Sequence, residues 1–141
     1  IVQPQIAVFG KKDFQQLFII KELVKQFNLP IHIIAGETVR EQTGLAMSSR
    51  NGYLSEKERA SASQLNSALQ GIVEAIKNGN YDFNQLEKEA CQQLTKNGWV
   101  VDYISVRAAT TLSPATESNQ QLVVLGAATL GKTRLIDNIE I

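Results

Sequence analysis

Ile6-Ala7-Val8-Phe9 is a short apolar run whose β-branched and aromatic members predict a buried strand. It ends at Gly10, which is expected to let the chain turn sharply beneath a ligand. From Asp13 to Phe27 the period changes: Leu17, Ile20, Val24 and Phe27 recur at helical spacing, with Asp13 placed as the N-cap. Asn28-Leu29-Pro30 closes this helix, because the residue before a proline is driven out of the helical region. Ile31 to Ala35 predicts a second short strand. Strand, helix and strand in succession are the unit from which parallel sheets are built. A two-stranded sheet does not stand alone, so further strands are expected upstream of Ile1. The opening Ile1-Val2-Gln3-Pro4 has no initiator Met and runs almost at once into a strand, which predicts a segment of a longer chain.

From Gly36 to Leu54 the sequence turns polar and loses its periodicity, and a long loop of this kind is commonly functional. Ser55 with Glu58 forms a capping-box pattern, followed by Leu65, Leu69, Ile72 and Ile76 on one helical face up to Asn78-Gly79. Asp82 with Gln85 repeats the pattern for a second helix, with Phe83, Leu86, Ala90 and Leu94 inward and Asn97-Gly98 at its end. Strands are predicted at 100–106, 122–127 and 134–139, the last two joined as an antiparallel hairpin at Leu130-Gly131-Lys132. The fold class is therefore α/β, with a boundary near Tyr53 to Ser55. Residues 1–54 are expected to be the remainder of a parallel-sheet α/β domain with its long polar loop, and residues 55–141 a small α+β domain of two helices and a three-stranded antiparallel sheet.

Composition narrows the partners. The 141 residues are 43% hydrophobic and 20% charged, enough for a real core in one domain or two small ones. Lys plus Arg and Asp plus Glu are 14 each, so no global field favours nucleic acid or an anionic membrane, and any anion must be bound locally. No apolar run reaches the roughly 20 residues a membrane helix needs, and the single Cys91 suits a reducing cytoplasm as an inert packing residue. His32, the only histidine, lies in an apolar strand without a second ligand or nucleophile beside it, and is expected to be structural. Protein-only metal sites are disfavoured for the same reason, whereas Mg²⁺ held by nucleotide phosphates would leave no motif. Trp99 and Tyr103 are expected in the core of the second domain.

Two stretches carry candidate chemistry. Gly10-Lys11-Lys12-Asp13 lies between a strand end and a helix start, where open parallel sheets bind ligands and free amides face outward. Either a lysine meets a phosphate here, or both lysines are solvated and Asp13 is only a cap. Gln15 and Gln16 follow in the first helical turn, as substrate ligands or as a solvated face. Met47-Ser48-Ser49-Arg50-Asn51 sets two hydroxyls beside a guanidinium in a polar loop, a donor set for polyphosphate without the Walker sequence. The alternative is a loop in which Arg50 forms a surface pair with Glu41. Arg40 and Glu41 are expected to pair with each other, and Gly44 fits a tight turn.

Taken together, Phe9-Gly10-Lys11-Lys12-Asp13-Phe14-Gln15-Gln16-Leu17, Val39-Arg40-Glu41, Gly44-Leu45-Ala46-Met47-Ser48-Ser49-Arg50-Asn51 and Tyr53-Leu54 resemble the pantothenate synthetase (pantoate–β-alanine ligase) family in order and spacing. Asp102-Tyr103 and Thr133-Arg134-Leu135-Ile136-Asp137-Asn138 resemble that family's C-terminal domain. The resemblance implies a Rossmann-like nucleotidyltransferase fold and the condensation of pantoate with β-alanine using ATP. A pantoyl-adenylate intermediate, release of AMP and pyrophosphate, and Mg²⁺ accompanying ATP go with it. It also implies that Lys12, Ser48, Ser49 and Arg50 carry the phosphate chemistry, that Gly10 and Asp13 lie on the ribose side, that Val39 and Met47 line the adenine end, and that Gln16 binds pantoate. A homodimeric full-length protein is implied as well.

The sequence departs from the family pattern at Lys11, where Glu is common, at Phe14 for Tyr, at Glu37 for Pro and at Thr43 for Asp. None of these removes an implied ligand, but Glu37 frees the path into Thr38-Val39 that a proline would restrict. The family's His-x-Gly-His motif does not occur in the sequence. Residues 1–141 alone are accordingly expected to be inactive, leaving a non-catalytic folding or association module as the rival reading. Another adenylate-forming ligase of the superfamily is a further alternative, which Gln16 and the 44–51 motif argue against.

Overall fold

Ile6, Ala7, Val8, Phe9 and Gly10 pair in parallel with His32, Ile33, Ile34, Ala35 and Gly36 in the computed structural model, which describes residues 2–141. These strands, β1 (Ile6–Gly10) and β2 (His32–Gly36), flank α1 (Phe14–Gln26), so the predicted strand–helix–strand unit is present. Asn28 ends α1 in the left-handed region at φ 49, and the Leu29 amide donates back to the Val24 carbonyl at 3.0 Å. Asn28 thus takes the position that glycine usually fills after a helix.

Phe14 and Leu17 of α1 are buried, and Ala7, Phe9, Ile33 and Ala35 are half-buried. Ile6, Val8, His32 and Ile34 alternate with that set and form an exposed sheet face. His32 therefore sits on a solvent-facing surface, not in a packed core.

The chain divides into two compact units, the first ending at Val39 and the second spanning Arg40–Ile141. The division falls before the polar loop, whereas the sequence pattern places it after, near Tyr53 to Ser55. The reason is in the loop itself: Leu45 and Ala46 are 5% and 4% exposed, and Leu45 joins the core of the second unit.

That unit contains α2 (Glu56–Ser61), α3 (Gln64–Lys77), α4 (Phe83–Lys96), β3 (Trp99–Ala108), β4 (Leu122–Leu130) and β5 (Thr133–Glu140). The three strands form an antiparallel sheet in the order β3-β4-β5. The helix expected from Ser55 to Asn78 is interrupted at Ala62-Ser63, where the Ala62 amide bonds to Arg59 in a tighter turn and Ala62 becomes 1% exposed. The capping box at Ser55 and Glu58 forms in both directions. At Asp82 only half of the expected box forms: the aspartate accepts from the Gln85 amide, while the Gln85 side chain donates to Glu89 at 2.7 Å. Asp13 occupies the N-cap position of α1 as expected, but it also ends the 3₁₀ turn Lys11–Asp13 and its side chain makes no cap hydrogen bond.

Leu65, Leu69, Ile72, Val73 and Ile76 of α3 and Leu86, Ala90 and Leu94 of α4 pack with Ile104, Val124 and Ala128 of the sheet. Trp99 belongs to this core as predicted, and its indole donates to Gln64 at 3.0 Å, which satisfies the buried N–H. Tyr103 is only half-buried. α3 crosses the sheet at Gly126, where an added Cβ would lie 3.0 Å from Ile104 Cδ1 and from Leu69 Cδ2. Gly131 opens the two-residue β4–β5 turn at φ 60, the backbone region that hairpin turns reserve for glycine. Asp102 is the extra residue of a bulge in β3, and its carboxylate accepts from Arg134 Nε at 2.6 Å.

Candidate functional site

In the first unit, Gly10 and Gly36 are register partners at the carboxyl ends of the parallel strands, the edge from which ligand-binding loops of such sheets arise. Gly10 is extended at φ −73, and nothing lies within 4 Å of where its Cβ would be. The chain does turn directly after Gly10, into the 3₁₀ turn Lys11–Asp13, but at a φ any residue adopts, so what the glycine itself provides is open space. Lys11 and Lys12 are half-buried, whereas Asp13 and Gln16 are exposed on the turn and first helical residues. Lys11 Nζ lies 2.6 Å from Glu37 Oε1. These two residues are both departures from the family pattern, and here they join the exits of β1 and β2 with opposite charges. The solvated-lysine alternative does not hold for Lys11.

In the second unit, the Arg40-to-Ala46 segment closes on itself. Arg40 and Ala46 form an antiparallel bridge, the Glu41 amide donates to Leu45 at 2.9 Å, and the Gly44 amide donates to Glu41 at 2.9 Å. Gly44 has φ 90 and lies against Asn66, so the expected tight turn is present and requires glycine. The 3₁₀ turn Ser49–Tyr53 follows, with Ser48 Oγ accepting from the Arg50 amide at 3.2 Å. Asn51 is 4% exposed and its Nδ2 donates to the Ala46 carbonyl at 3.1 Å. The backbone of the motif is thereby pinned on both sides, while Met47, Ser49 and Arg50 are exposed and Ser48 is half-buried. Val39, at the end of the first unit, is exposed too.

Charge pairing differs from the expectation. Glu41 accepts from Arg59 at 2.8 Å, and Arg40 makes a two-pronged bond to Asp137 at 2.7 and 2.9 Å. Arg40 and Glu41 therefore do not pair with each other, and the alternative surface pair of Arg50 with Glu41 is replaced by Arg59 with Glu41. Among the described residues Arg50 carries no ion pair. Asn51, Asn66, Arg59 and Asp137 are the framework that sequence reasoning missed. The recurrence of Arg40, Asn51 and Asp137 inside the family-like motifs was the available signal, but nothing local links Arg40 to a residue 97 positions away.

The family model for pantoate-beta-alanine ligase matches residues 1–140. The chain is 63% identical to pantothenate synthetase of Methylobacillus flagellatus, over 99% of this chain and 50% of that protein. It is 57% identical to that of Thiobacillus denitrificans, again over 50% of the relative. The crystal structure of the Thermus thermophilus enzyme superposes with a TM-score of 0.89 at 34% identity, covering 98% of this chain and 50% of the other. A Francisella tularensis pantoate-beta-alanine ligase, solved in complex with β-γ ATP and β-alanine, matches with a TM-score of 0.61 at 30% identity, over 97% of this chain and 44% of that one. The chain thus spans about half the length of the curated relatives it matches. The strand–helix–strand unit, the pinned Met47–Asn51 loop and the match spanning residues 1–140 have one source: the chain belongs to the pantoate-beta-alanine ligase family.

Proposed function

We propose that this chain supplies the C-terminal half of a cytosolic, homodimeric enzyme that joins pantoate to β-alanine using ATP. The pantoate carboxylate attacks the α-phosphorus, pyrophosphate leaves, and pantoyl adenylate forms. The β-alanine amine then attacks the acyl carbon, loses a proton and displaces AMP. Neither nucleic acid nor a membrane takes part, and residues 55–141 act as a lid domain.

The observation that carries this reading is the form of the Met47–Asn51 loop: a pinned backbone presents Ser48, Ser49 and Arg50 with the guanidinium left unpaired among the described residues. In-line attack at phosphorus gathers negative charge on the phosphate oxygens, and donors already in place stabilise it without reorganising. In this reading Lys12, Ser48, Ser49 and Arg50 hold the phosphates, Gly10 and Asp13 lie on the ribose side, Val39 and Met47 line the adenine end, and Gln16 binds pantoate. The β-γ ATP and β-alanine bound by the Francisella relative agree with these substrates.

Among the described residues no three His, Cys, Asp or Glu side chains converge as a metal site, and the hydroxyls and cations of the loop suit phosphate oxygens. Mg²⁺ in this reading is held by the ATP phosphates, whose charge it offsets. The test is pantoate-dependent ATP–pyrophosphate exchange in the protein at its relatives' full length. Lys12→Ala and Arg50→Ala are each expected to lower it about 10²- to 10³-fold, the cost of losing one charge-stabilising donor. Exchange at the parental rate in both variants refutes the assignment.

A further inference from the structure

We propose that Asp137, on β5, is a positioning residue for the Met47–Asn51 loop, acting through Arg40. The inference rests on the nucleotide-binding reading of that loop. Asp137 is 5% exposed, and each of its oxygens takes two donors. Oδ1 accepts from Arg40 Nη2 at 2.9 Å and from the Asn138 amide at 2.8 Å; Oδ2 accepts from Arg40 Nη1 at 2.7 Å and from Asn66 Nδ2 at 3.0 Å. A carboxylate has about four acceptor positions, so the site is full.

Arg40 carries that anchorage into the loop. Its Nη1 also donates to the Gly44 carbonyl at 3.0 Å and its Nη2 to the Asn138 carbonyl at 3.2 Å. One planar guanidinium thus holds the tight turn against β5, a geometry that an ammonium cannot reproduce. Gly44 is seated next to Asn66, whose amide is itself committed to Asp137, so turn, helix and strand meet at one carboxylate. Leu45 and Ala46 follow as buried residues, and the exposed Met47–Arg50 segment begins directly after them. Beyond Ala46 the loop is anchored by Asn51 and the Ser48 cap, and Asn51 takes its register from the Ala46 carbonyl. The position of Ser48 and Arg50 is therefore inherited from the Arg40 turn. Asp137 is also the register partner of Gly126, on the face that α3 covers, which fixes the carboxylate within the sheet.

Asp137→Asn keeps the shape but puts an NH₂ group where Arg40 or Asn66 donates. Arg40→Lys keeps the charge and loses the fork. In the full-length protein both are expected to raise the KM for ATP about tenfold while the KM for pantoate changes less than about twofold. Amide hydrogen exchange of the 44–52 segment is expected to speed up about tenfold in both. Leu94→Ala, a core truncation in α4, controls for general destabilisation and is expected to leave the KM for ATP and the exchange of 44–52 within about twofold. An unchanged KM for ATP in both folded variants, or an equal rise in Leu94→Ala, overturns the proposal. If the unsubstituted protein shows no pantoate-dependent exchange activity, the functional reading fails. The hydrogen-exchange comparison then decides the clamp by itself, and unaltered protection of 44–52 rejects it.

Discussion

Gly126→Ala tests how tightly α3 is packed on the sheet. The residue is in an extended strand, so alanine is allowed by the backbone and should stabilise the chain by about 0.4–1 kcal/mol through the unfolded state. Space opposes it. The new methyl would lie 3.0 Å from Ile104 Cδ1, 3.0 Å from Leu69 Cδ2 and 3.2 Å from Leu65 Cδ1. Each neighbour is a methyl at the end of a side chain and could yield alone, but Ile104, Leu69 and Leu65 are 5%, 0% and 2% exposed. With three buried groups displaced at once, overpacking of about 1–3 kcal/mol wins over the entropy gain. The net expectation is a loss of about 1–2 kcal/mol, or about 4–8 °C in Tm for each kcal/mol in a domain of roughly this size. Urea and thermal unfolding followed by circular dichroism provide the assay. Gly71→Ala is the internal comparison: it lies on the exposed side of α3 with nothing within 4 Å of its Cβ. There, alanine should stabilise by up to about 1 kcal/mol through helix propensity. A Gly126→Ala chain as stable as the parent would show that the α3 contact is loose and the reasoning wrong.

Cys91 should react slowly with iodoacetamide at neutral pH, because burial raises its thiol pKa more than the Ile104 backbone hydrogen bond lowers it; labelling as fast as in the urea-unfolded chain would contradict this. Glu58 has a pKa lowered by its backbone and side-chain bonds to Ser55, so its small contribution is complete above the ordinary glutamate range and lost as pH falls through the lowered value. Glu58→Gln should accordingly reduce the acid-side slope of Tm against pH, and an unaltered slope would argue against the cap. Gly131→Ala should cost about 1–2 kcal/mol from the left-handed backbone, while the Glu58 carboxylate, the end of a flexible side chain, moves aside from the new methyl; an unchanged Tm would reject the backbone argument. Residues 1–141 alone should form no pantothenate from pantoate, β-alanine and ATP, and product detected by mass spectrometry would disprove that.

Much of the fold was legible because local rules dominate its elements. The 3.6-residue spacing of Leu65, Leu69, Ile72 and Ile76 produced a helix, and Asn78-Gly79 and Asn97-Gly98 stopped two helices with glycine at φ 87 and 85. Gly131 produced the hairpin for the same reason. Local pattern misled where two nearby answers cost nearly the same. A helical backbone tightens at Ala62-Ser63 with φ near −65 at both residues, a change too small for composition to announce. Asp13 stands at the N-cap of the first helix, as its chemistry suggests, but it also ends a 3₁₀ turn and its side chain makes no cap bond.

The candidate site divides along the same line. Which residue types could hold phosphate was written in the sequence, since hydroxyls and guanidinium groups have that capacity wherever they stand. Which charges remained available was not. Arg50 is unpaired among the described residues because Glu41 is taken by Arg59, and Arg40 is taken by Asp137 across 97 positions. Lys11 and Glu37 became partners only when β1 and β2 aligned their carboxyl ends. Helix periodicity, the Ser55 capping box and the glycine turns follow from interactions within a few residues, and the chain alone determines them. The pairing of charges follows from distances between residues far apart in sequence, and these exist only once the sheet has set its register.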